Sequence, residues 1–337
     1  MPPSCLRSLY VSPSTRPGHL QPHLLLVNLG TPEAATPTAV RAFLAEFLGD
    51  PAVVDLPRWI WLPILHGIVL RTRPKRVAEQ YASIWTVEGS PLRVSTERIV
   101  AELRARAAGR FGVSAAYRYG QPSLETAMRR LAQEGAGPVV VVPLFPQRTD
   151  ATTGTAFRSA REAASLAGIA DHVVERPIDP ADAGYVAAMA ARWRDAIAGA
   201  AEAPEHLVMS FHGLPVRYDR REEHAYVRDC EATARALLAA IAWPPERTTF
   251  AFQSKFGSEP WLTPSTADVL DALPRRDIRR VAVVTPGFLT DGLETVEEIG
   301  IRGRETFLAA GGTDFLRVGG VEHHPAFLDS LVSLALS

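Results

Sequence analysis

The sequence predicts an α/β protein made of two similar halves, each a parallel β-sheet flanked by helices, with a cleft between them. Continuous apolar runs that stop at Gly or Pro alternate with segments of helical periodicity, a pattern typical of strands buried on both faces. The runs 139–146 and 281–288 also echo one another, since each passes through Pro and Phe into Thr-Asp and then a helix. Ligands of such proteins bind between the halves, beside the carboxyl ends of the strands.

The size and charge of the chain exclude several classes of protein. With 337 residues the chain can form two domains, and a formal charge of -1 gives no broad attraction to nucleic acid. Cys5 and Cys230 are too few for a disulfide framework or a Cys-rich metal site. We therefore expect a cytoplasmic protein without a nucleic-acid partner.

Residues 1–22 are expected to form a disordered extension outside the fold. They are rich in Pro and Ser, and the basic residues are not followed by an apolar core of signal-peptide length. The longest apolar stretch, 59–70, is interrupted by Pro63 and His66 and falls short of the roughly 20 residues that a bilayer span requires.

The N-terminal half, 23–178, begins with a strand over 24–32, where a continuous apolar run ends at Gly30 and Pro32. The other predicted elements are a helix over 38–48, a helix over 93–110, a strand over 115–119, a helix over 123–134, the strand 139–146 and a helix that begins near Ala156. The small, hydroxyl-rich turn 149–155 has neither a phosphate-loop Lys nor G-x-G-x-x-G spacing, so we do not predict a nucleotide site there.

The segment 57–72, called the lip below, is unusually apolar. It contains Trp59, Trp61 and Leu62, and four basic side chains lie at its end and just beyond, those of Arg71, Arg73, Lys75 and Arg76. One interpretation is an exposed edge that touches a lipid surface or a flat apolar ligand while the basic residues reach headgroups. The other is a core helix with a basic end, and the pattern alone leaves both open.

The C-terminal half, 179–337, repeats the plan of the first. Its predicted elements are a helix over 181–198, a strand over 206–213, a helix over 226–241, a strand over 248–253 and the strand 281–288. The strand 206–213 brings His212 to the edge of the sheet, just before Gly213 and Pro215. A histidine at a strand end is either a structural hydrogen-bonding group or a site residue.

An acidic helix follows the last of these strands. Asp291, Glu294 and Glu298 are spaced by three and four residues, which places them on one face of an α-helix. Asp291 as N-cap and Glu294 in the first turn would explain part of the pattern, but Glu298 lies beyond that turn. His212 and these carboxylates converge on one cleft, where they could bind Fe(II) or Zn(II) loosely or accept protons.

The ordered motifs of the chain resemble those of the ferrochelatases, which insert Fe(II) into protoporphyrin IX to make protohaem. The resemblance runs from about Leu24 to Leu334 and is most specific in its histidine and acidic-helix blocks. It rests on Leu26-Val27-Asn28-Leu29-Gly30-Thr31-Pro32, Glu88-Gly89-Ser90-Pro91-Leu92, Tyr117-Arg118-Tyr119, Pro143 to Gln147 with Thr152-Thr153-Gly154, Ser210-Phe211-His212-Gly213-Leu214-Pro215, Phe252 to Gly257 with Pro260-Trp261-Leu262, and Phe288 to Ile299.

The resemblance implies two Rossmann-like, chelatase-type halves with the porphyrin in the cleft between them. His212 would accept pyrrole protons or bind iron, and Glu294 would be its partner across the macrocycle and the second metal ligand. Asp291 and Glu298 would continue an acidic path for metal delivery or proton removal. The resemblance further implies porphyrin contacts from Ser90, Arg118, Tyr119 and Thr153, and a membrane-touching or porphyrin-gating lip that includes Trp59, Trp61 and Leu62.

The resemblance also sets expectations for cofactors, partners and location. Protoporphyrin IX and Fe(II) are the expected substrates and haem the product, with peripheral contact at the inner face of the cytoplasmic membrane. Some ferrochelatases hold an iron–sulfur cluster on extra cysteines, but Cys5 and Cys230 cannot supply one, so no cofactor is expected.

Two alternatives remain open. One is a related chelatase that uses coproporphyrin III or another metal. The other is a haem- or porphyrin-binding protein without turnover, suggested by departures from the family pattern in the turn 145–151, where Phe145 and Arg148 stand at positions that often carry Tyr.

Overall fold

The structure, a computed structural model, describes residues 21–337 and contains two parallel four-stranded sheets. The disordered extension expected over 1–22 therefore lies outside the described residues, except for Gln21 and Pro22. The strands are β1 (His23–Asn28), β2 (Gly112–Tyr117), β3 (Val139–Pro143), β4 (Val173–Glu175), β5 (His206–His212), β6 (Thr248–Gln253), β7 (Arg280–Val284) and β8 (Asp314–Arg317).

Helices connect the strands and cover the sheets. The α-helices are α1 (Pro37–Gly49), α2 (Arg58–Ile64), α3 (Leu70–Ala82), α4 (Pro91–Ala107), α5 (Leu124–Gln133), α6 (Thr155–Leu166), α7 (Ala183–Ala198), α8 (Val216–Arg221), α9 (Ala225–Ile241), α10 (Thr266–Ala272), α11 (Arg304–Ala309) and α12 (Pro325–Leu336). Among the described residues, three segments are π-helical: Leu65–Val69, Asp150–Gly154 and Leu293–Gly303.

The two sheets have the same strand order, which confirms the predicted two-fold plan. The order is β2-β1-β3-β4 in the first sheet and β6-β5-β7-β8 in the second, so that β1 and β5 occupy equivalent central places. Both central strands are almost fully buried, as expected for apolar runs covered on both faces. The carboxyl end of β5 carries His212 and that of β1 carries Asn28, which brings both residues to the cleft edge of their sheets.

The largest hydrophobic core is shared by the two halves. Apolar side chains of β1 and β3 belong to the same cluster as those of β5 and β7, with α4, α7 and α12 between them. The helix α12 packs against α7 and also against α4 of the N-terminal half. An ion pair between Arg106 and Asp329, at 2.5 Å, supports the second contact. The helix at the end of the C-terminal half is thus a structural part of both halves.

The lip forms a nearly continuous helix in which α2, the π-helical turn Leu65–Val69 and α3 follow one another. Trp59 is 79 % exposed, whereas Trp61 is 8 % exposed, lies in a core cluster and donates its Nε1–H to the carbonyl oxygen of Leu48 at 2.6 Å. The outward position expected for Trp61 is therefore wrong, because its face of the helix packs on α1. Leu62 is half-buried against the same cluster.

The exposed apolar surface of the lip is formed by Trp59, Ile60, Ile64 and Ile68. One face of this helix is thus exposed and apolar, and the other packs in a core cluster. Within residues 21–337, no helix combines the length and the apolarity needed to cross a bilayer.

Candidate active site

His212 is held at the end of β5 by the neighbouring strand. In the parallel register it lies opposite Gln253, the last residue of β6, and the backbone N–H of Gly213 donates to the carbonyl oxygen of Gln253 at 2.7 Å. A Cβ atom at residue 213 would come within 2.6 Å of that same oxygen, so glycine is required by the close approach of the two chains. The phenolic O–H of Tyr226 donates to the carbonyl oxygen of His212 at 2.7 Å.

The hydrogen bond of the His212 ring fixes its tautomer. Its Nδ1 atom lies 2.7 Å from the carbonyl oxygen of Gly213, an atom that can only accept. Nδ1 therefore carries the proton, which leaves the lone pair of a neutral imidazole on Nε2. Nε2 is therefore the ring atom that can accept a proton or bind a metal ion.

The acidic segment after β7 is a π-helix, Leu293–Gly303, rather than the expected α-helix. Its N-cap is Gly292, so Asp291 precedes the helix and does not cap it. The Asp291 Oδ1 atom instead accepts from the Thr295 hydroxyl at 2.8 Å and from the guanidinium of Arg317 at 2.8 Å. The predicted stripe of three carboxylates on one α-helical face is therefore wrong for Asp291, which Arg317 holds at the start of the helix.

Glu294 is the carboxylate of this segment that lines the pocket between the halves. Burial raises the pKa of its partly buried carboxyl group above the ordinary value, and the nearby carboxylates of Glu298 and Glu297 act in the same direction. Its own backbone N–H and a positive charge on His212 oppose this shift. Glu294 and His212 are thus close enough to interact electrostatically, and a raised pKa suits a carboxylate that accepts and releases protons.

Glu298 is fully engaged by Ser254, the residue after β6. Its Oε1 atom accepts from the backbone N–H of Ser254 at 2.7 Å and its Oε2 atom from the Ser254 hydroxyl at 2.6 Å. Glu297 is buried and bonds both to Arg302, at 2.9–3.1 Å, and to the side chain of Gln80 at 3.2 Å. Two of the three glutamates in this helix therefore have structural partners, and Glu294 is left to face the pocket.

The pocket contains about 350 Å³ of empty space, its open mouth included, and both halves contribute to its wall. Ser90 lies in the wall as the N-cap residue of α4, where it accepts a 2.8 Å hydrogen bond from the hydroxyl of Thr31. Tyr81 also lines the pocket, and burial together with the nearby Glu294 charge raises the pKa of its hydroxyl. The lining consists of Leu29, Gly30, Thr31, Phe43, Phe47, Tyr81, Ser90, Leu92, Gly292, Leu293 and Glu294.

Arg118 and Tyr119 lie behind this wall. The carboxylate of Asp50 accepts hydrogen bonds from the Arg118 guanidinium, from the Tyr119 hydroxyl at 2.9 Å and from the Thr155 hydroxyl at 3.0 Å. Tyr119 has no exposed surface, and its ring packs edge-on against Phe47, which lines the pocket. The structure thus places Tyr119 one layer behind the pocket surface, where it supports Phe47.

Thr153 also points away from open space. It is buried within the π-helical turn Asp150–Gly154, and its hydroxyl lies 3.5 Å from the carbonyl oxygen of Phe145. The adjacent Arg148 makes a paired contact with Asp229 of the other half, at 2.9 and 3.0 Å. The departures from the family pattern in this turn are therefore accompanied by a contact between the halves.

Several site residues were not singled out from the sequence. They are Tyr81, Thr31 and Gln253, and the signal that could have found Gln253 is its place at the end of a strand beside the His212 strand. Within residues 21–337 no three His, Cys, Asp or Glu side chains are grouped as metal ligands. His212 and Glu294 stay the proposed pair.

Comparison with known proteins shows the family of the chain. The family model described as ferrochelatase matches residues 22–337. Over 317 residues the chain is 41 % identical to a ferrochelatase of Edwardsiella ictaluri, with 91 % of this chain and 92 % of the relative covered. A ferrochelatase of Aromatoleum aromaticum is 45 % identical over 308 residues, covering 87 % of this chain and 80 % of the relative.

Among solved structures, a sirohydrochlorin chelatase of Bacillus subtilis subspecies spizizenii, determined in complex with cobalt, shares the fold. The TM-score is 0.53 at 13 % identity, and 94 % of each chain is covered. The matching family model and the curated relatives, both of which span most of the chain, show that it belongs to the ferrochelatase family of lyases.

Proposed function

We propose that this lyase of haem biosynthesis inserts Fe(II) into protoporphyrin IX to form protohaem, with release of two protons. Family membership supplies the reaction class and the two kinds of substrate, a porphyrin and a metal ion. The observation that carries the proposal is the pairing, in one cleft, of an imidazole whose Nε2 atom has a free lone pair with the carboxylate of Glu294.

The reaction requires proton acceptors because the two inner N–H groups of a porphyrin must lose their protons before the ring nitrogens can bind iron. In the proposed mechanism Nε2 of His212 accepts a pyrrole proton or contacts the incoming iron. Glu294 acts from the π-helix as the second acceptor, and its raised pKa favours proton uptake. The porphyrin loses two protons and gains one Fe(II) ion, so the net charge of the macrocycle does not change.

The proposal includes the acidic path formed by Asp291 and Glu298. Both carboxylates lie at the π-helix that carries Glu294, but each has partners: Arg317 and Thr295 for Asp291, and Ser254 for Glu298. Passage of a proton or a metal ion along this path would begin with the opening of these hydrogen bonds.

The preference for protoporphyrin over coproporphyrin is supported by the character of the pocket wall. Its lining includes the apolar side chains of Leu29, Phe43, Phe47, Leu92 and Leu293, which suit a macrocycle with few carboxylates. Ser90 offers one hydroxyl there. We propose that Arg118 and Tyr119 act on the porphyrin through this wall, which Tyr119 supports through Phe47, and that Thr153 contributes from the neighbouring π-helical turn.

We also propose that the protein works in the cytoplasm and touches the membrane through the lip. The exposed side chains of Trp59, Ile64 and Ile68 form an apolar surface on α2 and the following turn, and Arg71 and Lys75 on α3 are exposed nearby. Because protoporphyrin is poorly soluble, contact with a bilayer would give the cleft access to it.

The proposed function is tested by anaerobic incubation of the chain with Fe(II) and protoporphyrin IX, with loss of porphyrin fluorescence and gain of haem absorbance as readouts. We expect haem from the native chain and almost none from His212→Ala. Faster turnover of coproporphyrin III, or of another divalent metal, would replace the proposed substrates. Tight porphyrin binding without insertion of any metal would contradict enzymatic activity.

A further inference from the structure

The residue that joins the two proposed catalytic segments is Gln253, at the carboxyl end of β6. It is 3 % exposed. Its carbonyl oxygen accepts the backbone N–H of Gly213, directly after His212, at 2.7 Å. Its side-chain Nε2 atom donates to the backbone carbonyl oxygen of Glu294 at 2.8 Å. Gln253 is therefore hydrogen-bonded both to the backbone directly after His212 and to the backbone of Glu294.

The orientation of this amide is determined by its neighbours. The Ser210 hydroxyl lies 2.7 Å from Oε1 of Gln253 and 2.7 Å from the hydroxyl of Thr266. Because the Glu294 carbonyl can only accept, Nε2 faces it and Oε1 must accept from Ser210. Ser210 has a single hydrogen to donate, so Thr266 donates to Ser210. The bonds form one directed chain from Thr266 through Ser210 and Gln253 to Glu294, in which the three side chains are each at most 3 % exposed.

Ser254, the residue after Gln253, also binds the π-helix. Ser254 has a φ of +65°, a left-handed conformation that is uncommon for a residue other than glycine. In that conformation its backbone N–H and its hydroxyl both reach the Glu298 carboxylate. Gln253 and Ser254 thus hold the π-helix at residues 294 and 298, one turn apart. The two hydrogen bonds to a carboxylate offset the cost of the unusual backbone.

We propose that Gln253 is a positioning residue of the reaction, which sets the location of the Glu294 carboxylate relative to Nε2 of His212. This inference rests on the proposed function. Gln253 touches neither reacting group, so its effect passes through the backbone of Glu294. A displacement of reacting groups by about 1 Å can cost on the order of 100-fold in rate. Loss of the amide should accordingly reduce turnover and leave porphyrin binding nearly intact.

The test compares Gln253→Met with Gln147→Met. Methionine keeps the volume and removes the hydrogen bonds of the side chain. Gln147 is a matched control, because it is also buried, at 4 %, and donates to a hydroxyl, that of Thr233, at 2.8 Å. Both variants should lose similar amounts of Tm. Gln253→Met should lower kcat about 10- to 100-fold with KM for protoporphyrin nearly unchanged, while Gln147→Met keeps its kcat.

A second variant, Ser210→Ala, leaves Gln253 in place but removes the donor that orients its amide. We expect a smaller loss of kcat in the same direction. Backbone amides of Leu293–Gly303 should exchange hydrogen faster in Gln253→Met than in Gln147→Met, a readout that does not depend on activity.

The outcomes separate this inference from the proposed function. If the native chain forms no haem, the proposed function fails. If the native chain is active and His212→Ala is not, but Gln253→Met keeps its kcat or loses it only in proportion to Tm as the control does, the positioning role alone is refuted. Equal hydrogen exchange of the π-helix in both glutamine variants would refute it as well.

Discussion

The imidazole Nδ1 atom of His212 and the carbonyl oxygen of Gly213 are 2.7 Å apart, so the site histidine is fixed by the residue that follows it in the chain. This contact allows the structural role of the Nδ1–H group to be separated from the proposed chemical role of Nε2. In His212→Asn the side-chain N–H can replace Nδ1–H, while the Nε2 lone pair is lost. We expect iron insertion to fall by about 100-fold or more, as for loss of a general base, with little change in Tm. Near-normal insertion by His212→Asn would show that Nε2 is not the reacting atom.

The raised pKa of Glu294 predicts a pH-dependent effect on stability. In the unfolded chain its carboxyl group ionises near the ordinary value of 4.5, whereas in the folded chain burial delays ionisation to higher pH. Below about pH 4 both states are protonated and the shift has no effect, but above it the unfolded state releases its proton first, so the charge disfavours folding.

Glu294→Gln removes this penalty, and we expect its Tm to match the native value near pH 4 and to exceed it at pH 8, as thermal unfolding at both pH values would show. Its turnover should fall at every pH because the proton acceptor is gone. A lower Tm at pH 8 would mean that the carboxylate stabilises the helix end instead.

The two tryptophans of the lip should respond in opposite ways to the same change. Trp59→Ser removes an exposed ring and should weaken association with liposomes without altering Tm. Trp61→Ser opens a cavity and breaks the bond to Leu48, which should cost about 3–5 kcal/mol of folding free energy. Liposome flotation and thermal unfolding measure the two effects. Unchanged flotation of Trp59→Ser would remove the lip from membrane contact.

Arg118 should contribute more to stability than to porphyrin affinity. Burial alone would raise the pKa of Asp50, but the N–H of Ala52, the hydroxyls of Tyr119 and Thr155 and the Arg118 guanidinium together lower it. The stabilisation is therefore present at neutral pH and is lost as pH falls through the depressed pKa.

We expect Asp50→Asn and Arg118→Met each to lower the free energy of unfolding by about 2 kcal/mol or more. A double-mutant cycle, with porphyrin affinity measured in parallel, checks this. Selective loss of porphyrin affinity in Arg118→Met, with stability unchanged, would establish direct contact with the macrocycle.

Asp291 and Arg317 provide a test of the acidic path. If Asp291 mainly anchors the π-helix, Asp291→Asn and Arg317→Met should lower Tm and kcat by similar amounts, because each removes one partner of the 2.8 Å contact. If Asp291 carries protons or metal, Arg317→Met should keep most of its kcat because the carboxylate remains. The ratio of the two kcat values distinguishes the roles.

The strands of the sheets and the position of His212 at a strand end could be predicted from the residue pattern of each segment alone. The apolar run 206–213 became β5 over His206–His212, and the strand predicted over 248–253 has those bounds in the structure. Local sequence specifies an element such as β5 because a strand buried on both faces is mostly apolar and ends where Gly or Pro interrupts the run.

The features that could not be predicted depend on contacts between distant segments. Asp291 was placed on a helix face, but Arg317 from β8 holds it outside the helix. The π-helical geometry of Leu293–Gly303 could not be predicted either, because spacings of three and four residues do not distinguish a π-helix from an α-helix. Trp61 and Trp59 have the same side chain, and the packing of α2 on α1 alone decides which one is buried.

The packing of α12 across both halves bears on how the chain folds as it is synthesised. The shared core cannot close until residues 325–336 have left the ribosome, because α12 covers α4, a helix translated more than two hundred residues earlier. Until then the nascent chain exposes apolar surface that the finished protein buries, and contacts of such long sequence separation form slowly. Truncation before Pro325 should therefore produce a chain that depends on chaperones and aggregates, although every residue of the candidate active site is present.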